Sequence, residues 1–270
     1  MDELARLKER SKRLWVLGDY AAVARRFEGV ADDLVAAAGI GAGDHVLDVA
    51  AGNGNVAVAA ARAGAEVTAS DFAPELVAAG GERTSALGVD VRWDEADAEE
   101  LPYPDASFDV VTSAFGLMFA PRPDVAAAEA FRVVRPGGVV AVTSWTPDGF
   151  TGQVTALMGE HLLAPFGTPQ PIDWGIEAIM RERLACHAES VELGRGTVTW
   201  EFASLEEATA WQEANFPALI AARDALGDRY DELRGRFVGL MRDWNRASDG
   251  SVRLPATYLR AVARKHDAPR

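Results

Sequence analysis

The sequence predicts an α/β protein built on a parallel sheet of βαβ units. Three observations predict it. Short apolar runs alternate with helical patterns from residue 45 to about 145, the rhythm of strand–helix–strand crossovers. The first run, His45 to Val49, leads into the glycine-rich stretch Ala50-Ala51-Gly52-Asn53-Gly54 before the next helix. In open parallel sheets such carboxyl-end turns are where ligands sit. The composition, 49% apolar and 25% charged over 270 residues, is that of a globular chain able to bury a large core.

Each element follows from its pattern. Residues 1–40 read as helical: Leu4, Leu7, Leu14 and Val16 sit among charges, and apolar residues recur at helical spacing to Ala38. Gly39-Ile40-Gly41-Ala42-Gly43 ends that pattern. Strands are expected at 45–49, 66–70, 89–93, 108–113 and 139–143, with helices at 55–63, 74–87 and 124–134, the second opened by Pro74 in its first turn. After Trp145 the rhythm loosens around four prolines, with helical pieces near 154–163 and 176–186. Residues 191–202 alternate as a long strand or hairpin. Ser204-Leu205-Glu206-Glu207 opens a helix with a capping box, helical spacing continues to about Ala247, and 258–263 reads as a last strand. This divides the chain into an N-terminal helical cap (1–40), a ligand-binding core (41–145) and a C-terminal part (146–270) of helices with the last two strands.

Composition excludes several functions. A net charge of −14 argues against a nucleic-acid backbone as the main partner, which needs a basic face. No apolar run approaches the length that spans a bilayer, and the first residues carry no apolar secretory segment. The single cysteine, Cys186, forms no internal disulfide and leaves a thiolate metal site without ligands, which fits a reducing cytoplasm and predicts no metal. Lysine is rare (Lys8, Lys12, Lys265) and is read as codon bias.

The chemistry-bearing segment is Val46 to Asn55. Gly52 and Gly54 let a ligand approach the backbone, and the helix beyond offers free N–H groups. Gly52-x-Gly54-x-x-Ala57, with Asp71 about twenty residues on, also fits a dinucleotide fingerprint. Asp48, a carboxylate just before the loop, would repel a pyrophosphate and suit an ammonium or a sulfonium; otherwise it ties down the loop backbone. Asp71 ends the second strand, where an acid accepts from ribose hydroxyls or caps the next helix. The acidic loop from Asp97 to Tyr103 either meets an adenine amino group or is a solvated turn.

In this order, these residues resemble the class I S-adenosylmethionine (SAM)-dependent methyltransferases. The likeness covers about residues 45–145 and includes Asp-Ala-Glu-Glu-Leu-Pro at 97–102, Ser-Phe-Asp-Val-Val at 107–111 and Arg-Pro-Gly-Gly at 135–138. It is nearest in flavour to small-molecule enzymes such as the quinone-biosynthesis C-methyltransferases. Ala50 departs from the pattern, standing where many members carry a glycine. The resemblance implies a Rossmann-like, doubly wound, mostly parallel sheet with an antiparallel last strand, N-terminal helices and a helical lid insertion. It implies SAM as cofactor, lined by Ala50, Gly52, Asn53 and Gly54 at the methionine part, with Asp48 facing its amino group. Asp71 would hold the ribose, Phe72 would pack on the adenine, and Asp97 and Ala98 would meet the adenine edge. Ser113, Ala114 and Phe115 would run beneath the methionine. Tyr20 is similar to a tyrosine that closes over the cofactor, and otherwise is a half-buried helix residue.

Methyl transfer from a sulfonium is an in-line displacement with dispersed charge, so alignment and desolvation supply much of the rate. A base is needed only where the acceptor must lose a proton. Of four histidines, His45 precedes a core strand, His266 lies in the tail and His187 ends a helix. His161, in the expected substrate cover, is the candidate base. Met118, Trp145 and Trp174, with Phe115, Phe119, Phe150, Met158 and Phe166, are expected to line an apolar acceptor pocket for a small molecule, helix core being the competing reading. The function expected is methyl transfer to a small apolar or aromatic molecule. The alternatives are a nicotinamide-dependent oxidoreductase, which Asp48 and the Pro-Gly-Gly turn count against, and a non-catalytic SAM-binding protein.

Overall fold

The computed structural model describes residues 3–161 and 170–267. Its first helices are α1 (Glu3–Trp15), α2 (Tyr20–Arg25) and α3 (Glu28–Ala38). The expected alternation follows: β1 (His45–Val49), α4 (Asn55–Arg62), β2 (Glu66–Asp71), α5 (Pro74–Ala86), β3 (Val91–Glu95), β4 (Phe108–Ala114), α6 (Pro123–Val133) and β5 (Val134–Trp145). The rest comprises α7 (Phe150–His161), α8 (Glu177–Ala185), β6 (Ala188–Phe202), α9 (Leu205–Asn215), α10 (Pro217–Leu226), α11 (Tyr230–Trp244) and β7 (Val252–Lys265).

The strands form one sheet in the order β3-β2-β1-β4-β5-β7-β6. The first five are parallel to their neighbours. β7 enters antiparallel to β5, and β6 lies outside it, antiparallel again. This is a Rossmann-like, mostly parallel sheet with antiparallel last strands. Residues 191–202 are therefore not a hairpin; they pair with β7 from Val191↔Ala263 to Phe202↔Val252. The last strand is longer than 258–263 because Pro255 lies within it, opposite Thr199. That stretch runs past the end of β5, where β7 has one partner strand and a missing N–H is tolerated.

Two other boundaries move for local reasons. β3 starts at Val91, not Val89, because the Val89 N–H donates to the Thr84 carbonyl and closes the end of α5. The helical stretch from 204 to 247 is three helices. Pro217 has no N–H and holds Phe216 in an extended conformation (φ −82°, ψ 113°), so α9 must stop there.

Alternate strand residues feed two apolar clusters. Val46, Val67 and Val139 face α3 and α4 on one side. Leu47, Val111, Val140 and Val142 face the other, where the cluster also takes in Val23, Leu219, Leu233 and Leu259. This second cluster draws on residues from all three expected segments. Trp93 of β3 fills a slot made by two glycines: a Cβ on Gly80 would lie 2.1 Å from its Cη2, and one on Gly54 2.8 Å from its Cζ2. Its Nε1 donates to Thr84 Oγ1 at 3.2 Å. Gly80→Ala is expected to cost about 1–3 kcal/mol by overpacking this slot, read as a lowered urea midpoint.

Candidate functional site

At the carboxyl end of β1, beside that of β2, the chain turns through left-handed backbone at Ala50 (φ 52°), Gly52 (φ 57°) and Gly54 (φ 81°). Left-handed alanine is strained, so Ala50 adopts the conformation that a glycine would take freely. Asp71 holds the turn. One carboxylate oxygen accepts from Gly52 N at 2.9 Å, the other from Ala73 N at 3.0 Å. Asp71 does not cap α5; Ala73 occupies that position. Burial raises the pKa of Asp71, and the N–H groups of Ala73, Gly52 and Phe72 counter it.

In front of this turn lies a cleft of about 640 Å³. Asp71, Phe72, Ala96 and Asp97 form one side; Ala50, Gly52, Phe115 and Gly116 form another. α1 covers it. Lys8 Nζ lies 2.6 Å from both Asp97 Oδ2 and Glu99 Oε2, and the buried Glu99 also bonds Arg122 at 2.9 Å. Lys12 bonds Glu95 at 3.1 Å and lies 5.9 Å above the Phe72 ring. Trp15 packs edge-on against Phe119 and Tyr20, with ring centroids at 4.7 and 5.6 Å.

A smaller cavity of about 270 Å³ adjoins, lined by Asp48, Ala51, Asn53 and Asn55, and Tyr20 lines both. Tyr20 lies against the bare Gly52, where a Cβ would stand 2.7 Å from its Cε1. Burial, with Asp71 and Asp48 nearby, drives its hydroxyl pKa well above the ordinary tyrosine value. Asp48 is buried; one oxygen accepts from Thr112 Oγ1 and the other from Ala57 N, both at 3.1 Å. Burial pushes its pKa up to about 7 against those two hydrogen bonds, with Asp71 adding to the rise. The amide nitrogen of buried Asn53 has no hydrogen-bond partner.

Of the residues expected from sequence, Tyr20, Ala50, Gly52, Asp71, Phe72, Asp97, Ala98 and Phe115 meet on the main cleft. Asp48 and Asn53 line the smaller one. The others lie elsewhere. Gly54 packs on Trp93 and lines neither cavity. Ser113 Oγ accepts from Leu117 N at 2.9 Å, bracing the turn after β4. Met118, Trp145 and Trp174 are core residues: Ser144 Oγ touches the Met118 sulfur at 3.4 Å, Trp145 stacks on Phe115 at 3.8 Å, and the Arg183 guanidinium covers Trp174 at 4.6 Å. His161 ends α7 beside Arg236, with its Nε2 3.1 Å from Nη1, and lines neither cavity. Phe166 lies outside the described residues. No His, Cys, Asp and Glu group among the described residues could hold a metal ion.

Sequence reasoning missed Lys8 and Trp15. With Lys12 they stand at i, i+4 and i+7 of α1, the spacing that puts side chains on one helix face. That face, set against a chain with three lysines in all, was the available signal.

The cleft's strand-end carboxylate and aromatic rings, with the unpartnered amide on the adjoining cavity, fit a ligand with hydroxyl, charged and π-faced parts. Residues 47–142 match the family described as "Methyltransferase domain". An uncharacterized protein of Mycobacterium tuberculosis is 38% identical over 259 residues, 94% of each chain. This chain belongs to the class I SAM-dependent methyltransferases. A demethylmenaquinone methyltransferase of Deinococcus radiodurans is 37% identical over 127 residues, 46% of this chain and 53% of that one. A phosphoethanolamine N-methyltransferase of Haemonchus contortus, solved with phosphomonomethylethanolamine and S-adenosylhomocysteine, shares the fold with a TM-score of 0.54 at 20% identity, over 88% of this chain and 53% of that one. As a member of the SAM-dependent family this methyltransferase takes SAM as its cofactor, and the nicotinamide alternative is not favoured. No helix among the described residues is long and apolar enough to cross a membrane.

Proposed function

We propose that this methyltransferase methylates a small apolar or aromatic molecule. The observation that carries this reading is the aromatic wall of the cleft: Trp15, Tyr20, Phe119 and Phe115 line the same space as Asp71 and Asp97. When bound, SAM supplies an electrophilic methyl group on a sulfonium. Asp71 would hold the ribose hydroxyls, Phe72 would pack on the adenine, and Asp97 with Ala98 would meet its edge. Asp48 and Asn53 would face the amino-acid end. The rings would exclude water and orient the acceptor.

No histidine lines either cavity among the described residues, and the raised pKa of Tyr20 makes it a poor base near neutrality. Both features favour an acceptor that is already nucleophilic, with alignment and desolvation carrying the rate. The test is transfer of labelled methyl from SAM into a fractionated metabolite extract. Label in an apolar, low-mass fraction is the expected outcome; label only in protein or nucleic acid would overturn the reading.

The cofactor assignment has its own check. Asp71→Ala removes a charged acceptor and leaves the Gly52 and Ala73 N–H groups unpaired. S-adenosylhomocysteine (SAH) binding, measured by calorimetry, is expected to weaken by about 1–3 kcal/mol, roughly 5- to 150-fold.

A further inference from the structure

The turn at Gly52–Asn55 is braced from outside by a side chain that lines neither cavity. Arg83, in the last turn of α5, donates from Nη1 to the Asn53 carbonyl and to Asn55 Oδ1, both at 2.9 Å. Its Nη2 donates to Glu28 Oε1 of α3 at 2.8 Å. Asn55 in turn donates from Nδ2 to the Ala24 carbonyl at 2.9 Å. Ala24 belongs to α2, whose first residue is Tyr20. One guanidinium therefore links three helices to the turn and, through Asn55, to the helix that sets Tyr20 against Gly52.

We propose that Arg83 is a positioning residue for the amino-acid half of the donor. It fixes the Asn53 backbone so that Asn53, with its unpartnered amide, stays on the wall of the smaller cavity, and it fixes α2 so that Tyr20 keeps its place between the two cavities. The logic is that of satisfaction. A guanidinium with three acceptors in fork geometry is committed to the protein, while the amide it holds in place is left with an open donor. A buried donor without a partner is costly, and the carboxylate of an amino acid is the acceptor that would satisfy it. The half of the site around Phe72 and Asp97 takes no part in this linkage; its hydrogen bonds run to α1 through Lys8 and Lys12.

This inference rests on the proposed placement of the donor, and two ligands separate the halves. SAH carries the amino-acid chain; 5′-methylthioadenosine has the same nucleoside and sulfur without it. Arg83→Met keeps the aliphatic stem and removes the fork. Calorimetry is expected to show SAH binding weakened roughly tenfold, with methylthioadenosine affinity unchanged within about twofold. Arg83→Lys keeps the charge beside Glu28 but cannot reach all three acceptors, and should show the same SAH-selective loss, smaller in size. It carries the test if the methionine variant does not fold. Equal weakening of both ligands, or of neither, overturns the proposal. If the unaltered protein binds methylthioadenosine as tightly as SAH, the donor's placement is wrong and Arg83 is not at issue.

Discussion

Gly52→Val is expected to bind neither SAM nor SAH at any concentration calorimetry can reach, while remaining folded at reduced stability. Two independent effects add. The backbone at Gly52 has φ 57°, a left-handed conformation that is a genuine outlier for a β-branched residue. The new side chain would also stand where Tyr20 now lies, since a Cβ alone meets its Cε1 at 2.7 Å. To relieve either, the turn must move, and with it the Gly52 N–H that bonds Asp71. The variant therefore loses the bare backbone and the orientation of the strand-end carboxylate together. Strain of this kind costs about 1–3 kcal/mol, so a lowered but cooperative urea transition should accompany the loss. Normal SAH binding by this variant would mean that the donor does not approach the chain at Gly52.

Gly54 gives the contrast. Both glycines look alike in the sequence, in one short loop before a helix. Only Gly52 lines the cleft, beneath Tyr20; over Gly54 lies a tryptophan 39 residues further along the chain, and Gly54 lines neither cavity. The strand–helix rhythm from β1 to β5 was legible because each segment needs only its own apolar pattern and its own turn residues. The carboxylates at strand ends were legible for the same reason. What was not legible depends on contacts between distant segments. Lys8 meets Asp97 across 89 positions. Met118, Trp145 and Trp174 carry the composition of a pocket wall, yet they pack inward, and no local pattern distinguishes an aromatic that faces a ligand from one that faces the core. His161 stands near the right place in the chain order, but the end of α7 turns it toward Arg236.

The second large effect is a pH dependence seated at Asp48. Its folded pKa is about 7 against an ordinary value of 3.8, chiefly because the carboxyl is buried. Between these two values the folded chain holds a proton that the unfolded chain has released. Stability from this group is therefore full below the unfolded value and is lost as pH rises toward and through 7. From pH 5 to pH 8 the loss is expected to be about 3 kcal/mol. Other groups titrate nearby, among them His187, whose pKa burial lowers from 6.5 and which therefore favours folding as pH rises. Asp48→Asn isolates the Asp48 contribution. The amide fits the site: its oxygen accepts from Ala57 N in place of the carboxylate, and its nitrogen donates to Thr112 Oγ1, whose proton turns to the Leu47 carbonyl at 3.4 Å. Urea unfolding at a series of pH values should then show the two proteins diverging, with the asparagine variant gaining on the unaltered chain from pH 5 to about pH 7 and the gap levelling off above it. A constant gap across that range would show that Asp48 is ionised throughout. Its burial would then be offset by the Thr112 and Ala57 hydrogen bonds alone, and the floor of the smaller cavity would carry a permanent negative charge.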